Sequence, residues 1–134
     1  EDKRCNLEAH DVSMSTALSF LVVNNNLKMV KFFNEHNANL NTFTVTKVTP
    51  MHIAAEGGNI AIVKYLIASK ANVSPKDYMG YTPLHLACKL NNADMCELLK
   101  KSGADRNAEL QDGTRRKPFQ LSTSDYIQNY LLGR

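Results

Sequence analysis

The sequence has no long apolar segment, little net charge and few cysteines, and each of these absences removes a class of protein. Its longest apolar run, residues 17–23, is far shorter than the about 20 residues that a membrane-spanning helix needs. The 16 basic and 13 acidic side chains leave a net charge of +3, which is too small to indicate a nucleic-acid partner. The 3 cysteines are an odd and sparse set, which is typical of a reducing compartment, the cytosol or the nucleus.

Patterns that support catalysis or metal binding are also missing. None of the 4 histidines is spaced at i,i+4 from another, no Cys-x-x-Cys occurs, and no glycine-rich phosphate loop precedes a helix pattern. No Ser-His-Asp or Cys-His constellation can be argued from these residues. We therefore expect no enzymatic activity, no metal and no cofactor in this segment.

A seven-residue word that occurs twice is the strongest feature that is present. TPMHIAA at residues 49–55 returns as TPLHLAC at residues 82–88, 33 residues later. Two near-copies at this period indicate a repeat protein. The word and its spacing resemble the ankyrin repeat, a β-turn finger followed by two antiparallel helices. The resemblance implies an all-α ankyrin-repeat solenoid.

The same register divides nearly the whole chain into units. A degraded copy of the word opens at Thr16, and Pro118 arrives two residues late. Because Gly113 is in register, the two extra residues are most simply Arg115 and Arg116. The predicted units are residues 11–43, 44–76, 77–109 and a C-terminal capping unit at 110–134, preceded at 1–10 by the tail of an earlier repeat or an N-terminal extension.

Residues typical of helix ends bracket the first helix of each unit. Thr49 and Thr82 are N-cap types, and the proline after each suits the first helical position. Gly58 tolerates the left-handed conformation that ends a helix, and Asn25 and Asn91 replace it in the neighbouring units. Small residues let the first helices approach closely, and stacked units share one continuous core.

Structural roles are predicted for the histidines and cysteines of the repeated units. In the family that the word resembles, the histidine at the positions of His52 and His85 bonds backbone and Thr groups between repeats. A metal site is the alternative, but the spacing supplies no further ligands. Cys88 and Cys96 stand where the preceding unit has Ala and Val, which predicts small core residues that are inert to thiol reagents.

The last unit is predicted to close the array. Its apolar residues can face inward, and Ser124 is predicted to cap its final helix. The polar residues predicted to cover its outer face are Gln120, Ser122, Thr123, Ser124, Gln128 and Asn129.

Candidate partner-binding residues follow from the family resemblance, which leaves the finger positions and the two residues after the small pair of the first helix free for contacts. In unit three these are Tyr78, Met79 and Tyr81, followed by Lys89 and Leu90. Aromatic residues and methionine are enriched at interfaces, so we predict a contact surface centred here. The alternative is that these side chains pack between adjacent fingers. The corresponding residues are Val45, Thr46, Val48, Glu56 and Gly57 in unit two, and Val12, Ser13, Ser15, Val23 and Asn24 in unit one.

A basic cluster on the fourth finger is the second candidate. Arg115, Arg116 and Lys117 could engage an acidic peptide or a phosphate group. The alternative is a solvated charge run, part of whose charge Glu109 and Asp112 would offset.

The predicted function is protein–protein interaction, in which the domain is a scaffold that binds a partner protein or peptide through its concave finger and inner-helix surface. An alternative is a regulatory or targeting arm of a larger multidomain enzyme, which full-length context would distinguish. A third alternative is a lipid- or nucleic-acid-binding module, which steep salt dependence of binding would favour.

Overall fold

The computed structural model describes residues 12–36, 39–44 and 46–133, with side chains from residue 17 onward. These ranges contain eight helices and no strand. The helices are α1 (Val12–Val23), α2 (Leu27–Glu35), α3 (Pro50–Gly57), α4 (Ile60–Ala68), α5 (Pro83–Lys89), α6 (Ala93–Lys101), α7 (Pro118–Leu121) and α8 (Asp125–Leu132).

The helices form four consecutive pairs, and the pairs stack into two layers. The first helices α1, α3, α5 and α7 each contact the next and make one layer. In the other layer, α2 contacts α4, and α6 contacts α8. This stacking of helix pairs confirms the predicted all-α solenoid architecture, in which each unit completes its core against its neighbours.

The repeated word begins a helix in both units, as predicted. The Thr49 hydroxyl accepts the backbone N–H of His52 at 3.4 Å, and the His52 Nδ1 accepts the backbone N–H of Thr49 at 3.1 Å. Thr82 and His85 repeat the arrangement at 3.3 and 3.2 Å. The proline between them occupies the first turn, where its missing N–H costs no hydrogen bond.

The predicted helix ends are also confirmed. Gly58 has a φ of 72°, and Asn25 and Asn91 have φ values of 54° and 56°. Glycine adopts this left-handed conformation without strain, and asparagine tolerates it better than most side chains do.

Unit one departs from the prediction at its start. Helix α1 begins at Val12, so the predicted finger residues Val12, Ser13 and Ser15 lie in a helix. In units two and three a proline follows the threonine of the word and keeps that threonine out of the helical conformation. In unit one Ala17 stands there instead, so Thr16 is free to continue the helix.

Three turns precede α3, α5 and α7, and we call them finger 2 (residues 44–48), finger 3 (77–81) and finger 4 (110–116). In each finger the N–H of the first residue donates to the carbonyl of the last, at 3.0, 3.1 and 3.0 Å. Fingers 2 and 3 have a second backbone hydrogen bond, from Lys47 to Thr44 and from Gly80 to Asp77. Neighbouring fingers are also joined, because Tyr78 N–H donates to the Thr46 carbonyl at 3.1 Å and Gln111 N–H donates to the Met79 carbonyl at 2.7 Å. The fingers therefore extend the stack beyond the helices.

Finger 4 is longer than the others, and Arg116, predicted as one of its two extra residues, instead takes the place of Tyr81. Gly80 has a φ of 85°, and in finger 4 both Gly113, at 94°, and Arg115, at 55°, have positive φ, so the backbone agrees with the predicted register of Gly113 with Gly80. The carbonyls of Tyr81 and Arg116 likewise bond the imidazole of the preceding unit, at 2.7 and 3.1 Å. The extra residues thus lie between Gly113 and Arg116, one position earlier than the predicted pair.

Small and medium apolar side chains form one core along the stack. Ala54, Ala55, Ala87 and Cys88 are fully buried, which confirms the close approach of the first helices. No helix of the described residues is long and apolar enough to cross a membrane. The largest fully buried apolar side chains are Leu18, Val22, Met51, Ile62, Leu66, Leu84, Met95, Leu99, Leu110 and Ile127.

The last unit closes the array much as predicted, with one exception. The Ser124 hydroxyl accepts the Ile127 N–H, which confirms the predicted helix cap. Ser122, predicted on the outer polar face, is buried. Its hydroxyl donates to the Asn91 side chain at 2.7 Å and accepts the Ser124 N–H at 3.0 Å, so it joins two repeats.

Candidate functional site

Finger 3 is a tight turn organised by Asp77. The Asp77 Oδ1 accepts the backbone N–H groups of Met79 and Tyr81, both at 2.9 Å. Gly80 has a φ of 85°, and a Cβ there would lie 2.7 Å from the backbone nitrogen of Gln111 in finger 4. Only glycine fits, because a neighbouring backbone atom cannot move aside as a flexible side chain does.

Tyr78 and Met79 extend from this turn into solvent. They are 67% and 47% exposed, so the folded domain leaves most of the Tyr78 side chain and about half of the Met79 side chain in water. Their predicted exposure is confirmed. Their role in binding stays a prediction, which the functional proposal below takes up.

Tyr81 has a different environment on the same finger. Its half-buried ring meets the imidazole of His85 edge-on at 5.9 Å, and the Lys89 ammonium lies 5.6 Å from the ring centroid. Its carbonyl accepts a hydrogen bond from His52 of the preceding repeat at 2.7 Å. Tyr81 therefore joins the finger to α5 and to the previous unit, so packing is a large part of its role.

Lys89 and Leu90 lie at the far end of α5. Leu90 is 53% exposed and directly follows the last helical residue. At about 1.5 Å of rise per residue, it lies roughly 12 Å along the helix from Thr82. The structure brings Lys89 back onto Tyr81, since helical side chains lean toward the N-terminus, but it separates Leu90 from the finger.

The unit-two candidates lie beside finger 3 or on the neighbouring helix. Thr46 is exposed and its carbonyl accepts the N–H of Tyr78, while Val48 is half-buried. Glu56 is exposed on α3. Val45 lies outside the described residues.

A row of apolar residues on the first helices was missed by the sequence analysis. Phe20 on α1 is 66% exposed, and Ile53 on α3 and Leu86 on α5 are half-buried at the same register. One turn further, Val23, which was predicted as a unit-one candidate, is 65% exposed. Each of the first three directly follows the histidine position of the word, and this spacing could have identified them. We call the exposed sides of the three fingers and of α1, α3 and α5 the finger–helix face.

The basic cluster of finger 4 is mostly neutralised. Arg115 forms an ion pair with Glu109 at 2.9 Å, and Arg116 lies 3.9 Å from Asp112. Lys117 is half-buried and precedes α7, where its backbone N–H donates to a glutamine side chain. The predicted offset of charge is confirmed, and it weakens this cluster as a site for anions.

The two histidines of the word connect neighbouring units. A backbone N–H of the preceding threonine donates to Nδ1 in both, so the ring proton is on Nε2. The Nε2–H of His52 donates to the backbone carbonyl of Tyr81 in finger 3, and the Nε2–H of His85 donates to that of Arg116 in finger 4. Burial lowers the pKa of both imidazoles, although the carbonyl bonds act in the opposite direction. These neutral, fully bonded rings have the structural role that the resemblance implied.

The cysteines of unit three lie in the core. Cys88 and Cys96 are both buried free thiols whose Sγ atoms are 3.5 Å apart. The hydrogen bond to Cys96, together with burial, raises the pKa of the Cys88 thiol. Among the described residues, no group of His, Cys, Asp and Glu could hold a metal ion.

Comparison with known proteins agrees with this geometry. The family model described as ankyrin repeats (3 copies) matches residues 18–110, the part that contains α2 to α6 and fingers 2 and 3. No curated protein matches the sequence significantly. Ankyrin repeats are generally protein–protein interaction modules and typically lack enzymatic activity. On this match and on its stacked helix pairs, the chain belongs to the ankyrin-repeat family.

Proposed function

We propose that this domain binds a partner protein or peptide through its finger–helix face, with Tyr78 and Met79 at the centre. The observation that supports this is the exposure of both side chains on a turn that Asp77 and Gly80 hold in one conformation. Burial of apolar surface is favourable, and exposed side chains such as these are buried only when a partner covers them.

An ordered finger also reduces the entropy that binding costs. The Asp77 side chain accepts two backbone N–H groups of the turn. Backbone hydrogen bonds with Thr46 and Gln111 join finger 3 to fingers 2 and 4. A partner therefore meets a surface whose backbone is already in place. Tyrosine adds contact area with only two rotatable side-chain bonds, which is why it is frequent at binding hot spots.

Lys89, Leu90 and Glu56 extend the proposed surface onto the first helices. Leu90 contributes exposed apolar area, and Lys89 contributes a positive charge beside the Tyr81 ring. A regulatory or targeting arm of a larger enzyme, the alternative function, would use the same face.

We also propose a reducing compartment, the cytosol or the nucleus, as the site of action. The Sγ atoms of Cys88 and Cys96 are in contact yet unbonded, a pair that an oxidising compartment would expose to disulfide formation. Alkylation after rapid denaturation, followed by mass spectrometry, checks this. Recovery of the pair as a disulfide from cells would contradict it.

The binding proposal is tested by affinity capture from cell extract. Wild-type domain is compared with the double variant Tyr78→Ser/Met79→Ser, and Tyr126→Ser is the matched control, since Tyr126 is 56% exposed on α8. We expect the double variant to retain the wild-type melting temperature and to lose its specific partners, with affinity lower by about tenfold or more. The control should capture the same proteins as wild type. Unchanged capture by the double variant would place the interface elsewhere, and the basic cluster Arg115–Lys117 would be tested next.

A further inference from the structure

Two parallel rows of side chains cross the first helices on the finger–helix face. Phe20, Ile53 and Leu86 form the first row, with one residue on each of α1, α3 and α5. One helical turn further along, Val23, Glu56 and Lys89 form the second. Residues three apart on a helix share a face, so the two rows are adjacent. The face therefore has an apolar row beside a row that runs apolar, acidic, basic.

The spacing within each row is set by helix packing. Helices α1, α3 and α5 contact one another in sequence. Packed helices have axes about 8–10 Å apart. A partner lying across the three helices thus meets an equivalent position about every 10 Å.

That spacing distinguishes between the two regular shapes of a bound segment. Residues i and i+7 of an α-helix lie on nearly the same face and are about 10 Å apart. On a strand, residues that share a face are separated by multiples of about 6.6 Å, which does not match the rows. A bound amphipathic helix can therefore place one side chain against each of α1, α3 and α5. A bound strand that matches one of these helices would be out of register with the next.

The charges of the second row also predict the order of residues along the partner helix. Glu56 and Lys89 are both exposed, and neither is in an ion pair within the part of the chain that the structure describes. A partner helix would complement them with a basic residue opposite Glu56 and an acidic residue opposite Lys89. Val23, 65% exposed, requires an apolar residue at the start of the same edge.

We infer that the partner segment is an amphipathic α-helix lying across α1, α3 and α5. Its edge carries an apolar, a basic and an acidic residue at intervals of seven, which face Val23, Glu56 and Lys89 in that order. This inference rests on the proposed function, because it concerns the same face. It adds the shape, the chemistry and the direction of the bound segment.

The test uses fluorescein-labelled synthetic peptides of roughly 22 residues, long enough to be helical on their own when alanine-rich. The matched peptide has leucines along the face and Leu, Lys and Glu at i, i+7 and i+14. A second peptide exchanges the Lys and the Glu, and a third has the matched composition with two central prolines. Fluorescence anisotropy with the whole domain gives the affinities, and circular dichroism shows that each domain variant is folded.

We expect the matched peptide to bind about tenfold more tightly than the exchanged peptide, since two exposed attractions become two repulsions. In the variant Glu56→Lys/Lys89→Glu the preference should reverse. The proline peptide should bind more weakly than either helical peptide. Reversal identifies the two charges as the contacts, because a nonspecific apolar association would not follow the exchange.

Three results would overturn the inference: no binding of the matched peptide, equal binding of the proline peptide, or a peptide preference that the charge exchange leaves unchanged. These failures are separate from failure of the proposed function. If the peptides fail but Tyr78→Ser/Met79→Ser still abolishes capture of partners, the interface stands and its occupant is not this helix. If capture also survives, the interface itself is misplaced.

Discussion

Tyr78 and Tyr81 are three residues apart on one finger, yet their surroundings are opposite. Tyr78 is 67% exposed, whereas the Tyr81 ring packs on His85 and lies beneath the Lys89 ammonium. The two tyrosines therefore have different roles. Tyr78 is available to a partner, and Tyr81 stabilises the junction between finger 3 and α5.

This difference predicts separate effects on stability. We expect Tyr81→Ala to lower the free energy of unfolding by about 1–2 kcal/mol, because it removes a half-buried ring and its edge-on contact with His85. Tyr78→Ala is the matched variant, and its effect should stay within about 0.5 kcal/mol. Urea denaturation measures both. Equal losses would show that the Tyr78 ring also packs against its neighbours.

The histidines predict a dependence of stability on pH. In the folded state the pKa of His52 and of His85 is lowered by burial, so the unfolded chain binds protons that the folded chain does not. The resulting stability is fully present above the unfolded pKa of about 6.5 and is lost as pH falls toward the folded pKa. Protonation would also place an N–H on Nδ1, opposite the backbone N–H of Thr49 or Thr82.

Urea unfolding at about pH 7.5 and about pH 5 measures this loss. The variant His52→Gln keeps a side chain that can cap the threonine N–H, as in a capping box, and removes the ionisable ring. We expect it to lose less stability than wild type between the two pH values. If both His52→Gln and His85→Gln showed the full wild-type loss, other groups would be responsible.

At the scale of elements, the fingers depend on close backbone approach. Finger 3 bonds finger 2 through Tyr78 and finger 4 through Met79, so each turn is stabilised by its neighbours. The position of Gly80 is the tightest of these contacts. A Cβ there would lie 2.7 Å from the Gln111 nitrogen, a separation that side chains cannot adopt.

Gly113 offers a matched control for this contact. Both glycines have positive φ, 85° and 94°, but a Cβ on Gly113 would meet nothing within 4 Å. We expect Gly113→Ala to cost only the backbone strain, about 1 kcal/mol. Gly80→Ala should cost about 1–3 kcal/mol more, since finger 4 must move away. Thermal unfolding compares the two, and equal costs would mean that the fingers separate without penalty.

At the scale of the whole molecule, stability is built from contacts between neighbouring units. Helix α3 contacts α1 and α5, and α5 contacts α7. The core is continuous along the stack, and in a solenoid each unit packs only against its neighbours. Damage to one unit should therefore spread over a short range.

Leu66 and Leu99 test this locality. Both are fully buried, on α4 and α6, and we expect Leu66→Ala or Leu99→Ala to cost about 2–5 kcal/mol. Lys64→Ala, an exposed change on α4, is the control. Hydrogen exchange should show faster exchange in the altered unit and its neighbours, and less change further away. A uniform loss of protection across all units would contradict the nearest-neighbour account.

Local sequence determined much of this protein. The word at residues 49–55 and 82–88 specifies a cap, a proline in the first turn and a small-residue face, all within seven positions. Such interactions join residues three or four apart, so they favour the same helix start wherever the word occurs. The repeat period then requires stacking, since a single pair cannot bury its apolar face.

Only the tertiary structure decided which free positions are exposed and where the register shifts. Ser122 is buried because Asn91, in the preceding unit, bonds its hydroxyl, and Tyr81 packs because His85 and Lys89 lie against it. Arg116, predicted as an extra residue, holds the place of Tyr81 because its carbonyl accepts the Nε2–H of His85 in the preceding unit. These outcomes depend on groups that stacking brings together, and the type of a residue does not show which groups of the neighbouring unit it will contact.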